Sequence, residues 1–198
     1  METVNGIVVG GTLPPTANNF RGACLVAGSG RCLWDDIERL WRKHPNWSGD
    51  FLGINWAGLW LPFPVKHIVS LHPTYLKHWV ALRDGSDGHI HTHSSRPEEG
   101  VESVWEFRNP AGMSGLFGAK VALGLGYSSV VLVGVPMDNS GHFYDPPDGL
   151  TLAGYPPFEI PNYHARASML EWELARDEEF AGRVKSMSGI TRQMLGEP

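Results

Sequence analysis

The turn Gly28-Ser29-Gly30 lies between an apolar run at residues 23–27 and a segment whose Leu33, Trp34, Ile37, Leu40 and Trp41 recur at helical spacing. Glycines at a strand-to-helix turn let a phosphate or ribose approach the backbone, and the helix N-terminus supplies unpaired N–H groups and positive potential. A dinucleotide fingerprint would want a third small residue where Leu33 stands and an acid at the end of the second strand, where the chain has Asn55. No Gly-x4-Gly-Lys-Ser/Thr segment is present, which excludes the P-loop route to ATP hydrolysis. Asn55 brings an uncharged amide that can donate and accept toward a base, a ribose or a sugar carbonyl; it equally suits the cap of a turn.

Two groups stand out among the nine histidines, while His67 and His72 flank a strand in keeping with structural roles. His89, His91 and His93 alternate, so on a strand they share one face and offer three imidazoles to zinc, nickel or iron. No acid close in sequence completes a recognisable site, and a polar edge strand explains the same pattern; the expectation is no metal. His142 and His164 lie in or beside a proline-rich stretch at 136–161, together with Tyr144, Tyr155 and Tyr163. A histidine near its free pKa can take the proton of an acceptor hydroxyl, and a tyrosine hydroxyl can stabilise a departing phosphate. These residues also suit ordering the loop by packing. Asp138, Asp145 and Asp148 offer hard oxygen ligands for magnesium.

Elements must hold these groups in place. Strands are predicted at 23–27, 51–54, 65–71 and 129–135, shorter ones at 89–93, 101–107 and 183–187, and helices at about 33–41, 75–82, 113–125 and 163–180. Alternating units with buried, non-alternating strands predict an α/β fold: a single Rossmann-like domain whose mostly parallel sheet carries helices on both faces. In such sheets ligands bind outside the carboxyl ends of the strands, which selects residues 28–31, Asn55, His72, Ser114 and 136–138. The domain spans 23–187, with an N-terminal arm at 1–22, a long loop at 136–161 as a candidate lid, and a polar C-terminal tail at 188–198.

With 198 residues, 42% apolar and 19% charged, the chain can bury one substantial core. No apolar run approaches the roughly 20 residues of a membrane span and no charged leader precedes one, so a soluble, unsecreted, cytoplasmic protein is expected. Two cysteines are too few for a disulfide framework. A net charge of -5 gives no reason to bind a polyanion, so neither nucleic acid nor a membrane is expected as partner. The eight tryptophans suit core packing or an interface with a second copy or another protein.

The segment Met113-Ser114-Gly115, then 119–127, then Val130-Val131-Leu132-Val133-Gly134, resembles the serine-bearing helix and following strand of single-domain, Rossmann-like bacterial sialyltransferases. Residues 28–33 resemble their Gly-Asn-Gly-Pro-Ser-Leu turn, and Asn55 their asparagine after the second strand. The resemblance implies that Gly28, Ser29, Gly30, Asn55, Ser114 and Gly115 hold the nucleotide of an activated sugar, with His164 as general base and Tyr144 on the phosphate. A metal-independent nucleotide-sugar glycosyltransferase is therefore the expected activity. The chain departs from the pattern at Arg31-Cys32, where the family keeps Pro-Ser, and at Ala111, where it keeps an arginine and Arg108 is the nearest substitute. Gly134-Val135-Pro136-Met137-Asp138 also resembles a stretched form of the Gly-x-Asp of pterin diphosphokinase-like proteins, which implies a magnesium-dependent alternative with Asp138 at the nucleotide. The chain is similar, too, to proteins encoded by bacteriophages. That likeness implies a host-cytoplasmic setting and a third possibility, a catalytically silent or virion-associated binding module.

Overall fold

Short stretches of branched and aliphatic residues separated by glycines pair side by side into one sheet. The computed structural model describes residues 2–4, 7–9, 22–83, 85, 88–109, 111–138, 140–145 and 162–198, with side chains given outside the first two stretches and, in the last, from Ser168. Strands β1 (Glu2–Val4) and β2 (Ile7–Val9) form a separate antiparallel hairpin within the expected arm. The main sheet contains β3 (Ala23–Ala27), β4 (Asp50–Ile54), β5 (His67–Ser70), β6 (His91–Ser94), β7 (Ser103–Val104), β8 (Ser129–Val133) and β9 (Val184–Ser186). Its spatial order is β7-β6-β5-β4-β3-β8-β9, and every pairing is parallel. The α/β, Rossmann-like reading therefore holds.

The chain winds outward from β3 to β7, then returns to place β8 on the other side of β3. That reversal separates the first connections on either side of β3 and marks the carboxyl ends of β3 and β8 as the place where such a sheet offers a ligand crevice. Helices α1 (Leu33–Lys43), α2 (Trp56–Trp60) and α3 (Leu76–Leu82) cover one face, packing on Leu25, Ala27, Ile68 and Val131. The other face, built on Cys24, Val26, Leu52, Ile54 and Leu132, is covered by α4 (Ser114–Gly124) and α5 (Asn162–Ala175). From Leu116 onward every residue of α4 is buried, as expected of a helix apolar on all sides and enclosed between sheet and outer elements. A wider π-helical turn, Arg176–Phe180, follows α5.

Two expectations need correction. The short helix α2 was not predicted; its five residues are too few to display a helical period. The last eleven residues are no polar tail, because α6 (Gly189–Leu195) buries Thr191 and Leu195 and donates the Ile190 amide to the Pro136 carbonyl. Among the described residues no helix is long and apolar enough to cross a membrane. The tryptophans divide: Trp79, Trp105 and Trp172 are buried, whereas Trp34, Trp56 and Trp60 keep substantial exposure.

Candidate functional site at the carboxyl ends of the strands

Backbone contact at the crevice explains its glycines. The Gly28 amide donates to the Val133 carbonyl and the Gly30 amide to the Gly134 carbonyl, both at 2.8 Å. A Cβ on Gly28 would lie 2.5 Å from the Gly134 oxygen, and Gly134 itself has φ +64. Both positions therefore require glycine on packing and dihedral grounds, whatever ligand approaches them. The Arg31 amide donates to Gly141 at 2.9 Å, so the amides of residues 28, 30 and 31 are engaged within the protein. Gly115, assigned to the nucleotide by the resemblance, packs closely on Val135, where a Cβ would fall 2.6 Å from the side chain.

On the other side of β3, Asn55 follows β4 with φ 52 and ψ -128, a region that non-glycine residues rarely occupy. Its amide donates to Val69 and its carbonyl accepts from Gly58, which fixes the backbone between β5 and α2. The side-chain Nδ2 donates to Ser114 Oγ at 3.3 Å, while Oδ1 is buried without a partner among the described residues. Two residues 59 positions apart, both singled out from sequence, are thus brought into contact.

The described part of the late loop crosses the glycine turn. Gly30 and His142 form an antiparallel bridge, and the Phe143 amide donates to the Ser29 carbonyl at 3.0 Å. Asp145 Oδ2 accepts the His142 amide at 2.6 Å and lies 3.3 Å from His142 Nδ1. That contact fixes the imidazole and leaves Nε2 as its second functional nitrogen. Tyr144 stacks on the His142 ring, centroids 4.9 Å apart, and packs against Trp56 at 6.4 Å. Burial, and then the Asp145 charge, push its phenol up to about 12, so it remains a hydrogen-bond donor at neutral pH. Trp34, edge-on to Phe143 at 5.6 Å, extends the aromatic rim of the crevice.

Other expected residues take no part in these contacts. Asp138 is exposed, and its Oδ1 accepts the Ser140 amide at 3.0 Å, which makes it a turn residue. Asp148, Tyr155 and the remainder of the proposed lid lie outside the described residues, as does the side chain of His164, whose backbone is in the first turn of α5. His72 is exposed on the connection after β5. His93 does not share a site with His89 and His91: it is buried between Trp105 and His67. The expectation that no acid accompanies the histidines is overturned, since Glu102 lies against both His89 and His91. Sequence reasoning named His142 without placing it in the site; only the bridge to Gly30 reveals it.

The buried Asp36 carboxylate, not anticipated, holds the far wall together. Its Oδ2 accepts the Gly134 amide at 2.9 Å and the Ser188 hydroxyl at 2.7 Å. A separate cleft lined by Lys43, Trp47 and Asp50 opens at the amino ends of β3 and β4, away from all these residues.

No family model, curated protein or solved structure matches this chain. The fold and the crevice define its class as an α/β protein with a candidate ligand site at the switch point of a parallel sheet.

Proposed function

We propose that this protein is a glycosyltransferase that binds the nucleotide of an activated sugar between the Gly28–Gly30 turn, Asn55 and Ser114. The observation that carries the reading is Asn55. A buried carbonyl without a donor costs about 1–3 kcal/mol, and a positive φ on a non-glycine residue about as much again. A ligand N–H or O–H reaching Oδ1, such as a base amino group or a ribose hydroxyl, removes the first of these penalties. Ser114 orients the amide for that contact. The resemblance to bacterial sialyltransferases supports cytidine monophosphate as the nucleotide.

In the transfer step a histidine removes the proton of the acceptor hydroxyl as its oxygen bonds to the anomeric carbon and the bond to the donor phosphate breaks. The Tyr144 hydroxyl, kept protonated, donates to the departing phosphate. His164 is the base by resemblance; His142, paired with Asp145 beside Gly30, has the described geometry for it. The reading takes the chemistry as independent of a metal ion.

Thermal shift with CMP, UDP, ADP and GTP, each with and without magnesium, tests the proposal. A ligand at about a hundred times its dissociation constant stabilises by roughly 2.7 kcal/mol. Stabilisation by CMP without magnesium is expected. Response only to a triphosphate with magnesium would replace it with the diphosphokinase-like activity, and silence from all four with a binding module. With an active preparation, His142→Ala and His164→Ala identify the base, whose loss lowers turnover by roughly two to four orders of magnitude while donor affinity is kept.

A further inference from the structure

We infer that His89, His91 and Glu102 form a binding site for one divalent transition ion of the zinc class, at the end of the sheet opposite the crevice. Their ligating atoms all lie within 4.8 Å of one another, a grouping that links two imidazoles to one carboxylate. His89 Nε2 is 2.9 Å from Glu102 Oε1 and His91 Nδ1 is 3.0 Å from Glu102 Oε2. Donors around a tetrahedral zinc, each about 2.0–2.1 Å from the ion, stand a little over 3 Å apart. The two nitrogen–oxygen contacts need to open by only about a few tenths of an ångström to admit the ion.

The backbone holds two of the three ligands in position. His91 opens β6, and its amide donates to Lys66 at 3.0 Å. Glu102 precedes β7, whose register pairs Ser103 with His93. The Glu102 amide donates to Thr92 Oγ1 at 3.0 Å and to the Thr92 carbonyl at 3.2 Å, and the Thr92 hydroxyl donates to Gly100 at 2.6 Å. Thr92 thus pins the connection that carries the carboxylate beside the strand that carries the imidazole. His89 is two-thirds exposed, so it can turn onto an incoming ion, and its ring already stands nearly perpendicular to that of His91.

The donor set selects the ion. Two nitrogens and one carboxylate oxygen suit zinc, nickel, cobalt or copper, whereas calcium and magnesium want oxygen-only shells. Three protein ligands leave one tetrahedral position for water. The site is independent of the proposed transferase reading, because β6 presents its amino end here and its carboxyl end toward the crevice.

Zinc uptake by the full chain, stripped with EDTA and desalted, tests the inference by isothermal titration, with cobalt(II) as a visible-absorption probe of coordination. The expected result is one ion per chain at micromolar affinity or tighter, weakened about tenfold or more by Glu102→Gln and by His91→Ala. His78→Ala, a surface histidine on α3, should leave uptake unchanged. Glu102→Gln keeps the size and hydrogen-bonding capacity of the side chain, so its melting temperature without metal should match the parent and separate lost ligation from lost folding. Absence of stoichiometric uptake, or uptake indifferent to Glu102→Gln, would overturn the site.

Discussion

His93 and His67 share a hydrogen bond of 3.0 Å inside the sheet, between Nε2 of the first and Nδ1 of the second. Its direction is set by the neighbours. Trp105 Nε1, which can only donate, reaches His93 Nδ1 at 3.1 Å, so the His93 proton resides on Nε2 and points at His67. His67 then carries its proton on Nε2, toward Tyr127 Oη at 3.1 Å, and Tyr127 donates to Asp50 Oδ2 at 2.7 Å. The network therefore fixes both neutral tautomers and leaves no proton to spare.

Acid sensitivity follows. Burial first, and neighbouring imidazoles second, lower His93 to about 3 and His67 to about 2, against an ordinary value of 6.5. Below about pH 6.5 the unfolded chain takes up protons that the folded chain refuses. The contribution of the pair is thus complete above that pH and is lost as pH falls toward the folded values, at a limiting rate of about 1.4 kcal/mol per pH unit for each histidine. Urea unfolding in EDTA at a series of pH values should show this slope, and a His93→Gln variant should lose about one proton's share of it. A variant whose profile parallels the parent would contradict the assignment.

Asn55 should trade stability against binding. Replacing it with glycine removes the backbone strain but adds unfolded-state freedom of about 0.5–1 kcal/mol, for a net gain of roughly 1 kcal/mol. For a chain of this size that corresponds to about 2–4 °C in Tm. Asn55→Ala keeps the strained φ and should melt lower than Asn55→Gly. Both should lose nucleotide-induced stabilisation. A glycine variant that melts below the alanine one would show that the backbone there is relaxed.

Lys120, fully buried on α4, lies 2.8 Å from Glu179 Oε1 and 3.1 Å from the Asn109 carbonyl. Lys120→Ala strands the carboxylate in the core and should cost about 3–5 kcal/mol in chemical denaturation. Lys120→Met combined with Glu179→Leu should recover most of that loss, since an apolar pair leaves no buried charge. Equal losses in the single and double variants would mean that packing, not charge pairing, dominates there.

The C-terminal helix should matter to the crevice. Ser188→Ala withdraws one of the two hydrogen bonds to Asp36 Oδ2 and should cost about 1–3 kcal/mol. Truncation after Met187 also removes the Thr191 contact to the Val135 carbonyl, and should lower Tm further while exposing Gly134 to faster amide exchange. Unchanged melting on truncation would show that these contacts add nothing to stability.

Apolar runs and their spacing determined the parallel sheet, its faces and the position of the glycine turn, because burying a strand on both sides demands a continuous run of Val, Ile and Leu wherever the chain later places it. Asn55, directly after β4, was legible for the same reason, and Ser114 as the start of the small-residue helix α4. Strand order and loop return were not, and they decide which distant groups meet. His142 reaches Gly30 only because the connection after β8 folds back over β3. Glu102 joins His89 and His91 only through the register of β6 with β7, and Asp36 finds Ser188 across 152 residues. Local sequence carries a residue's preference for burial or exposure; partners far along the chain are chosen by the closure of the fold, a property of all the elements together.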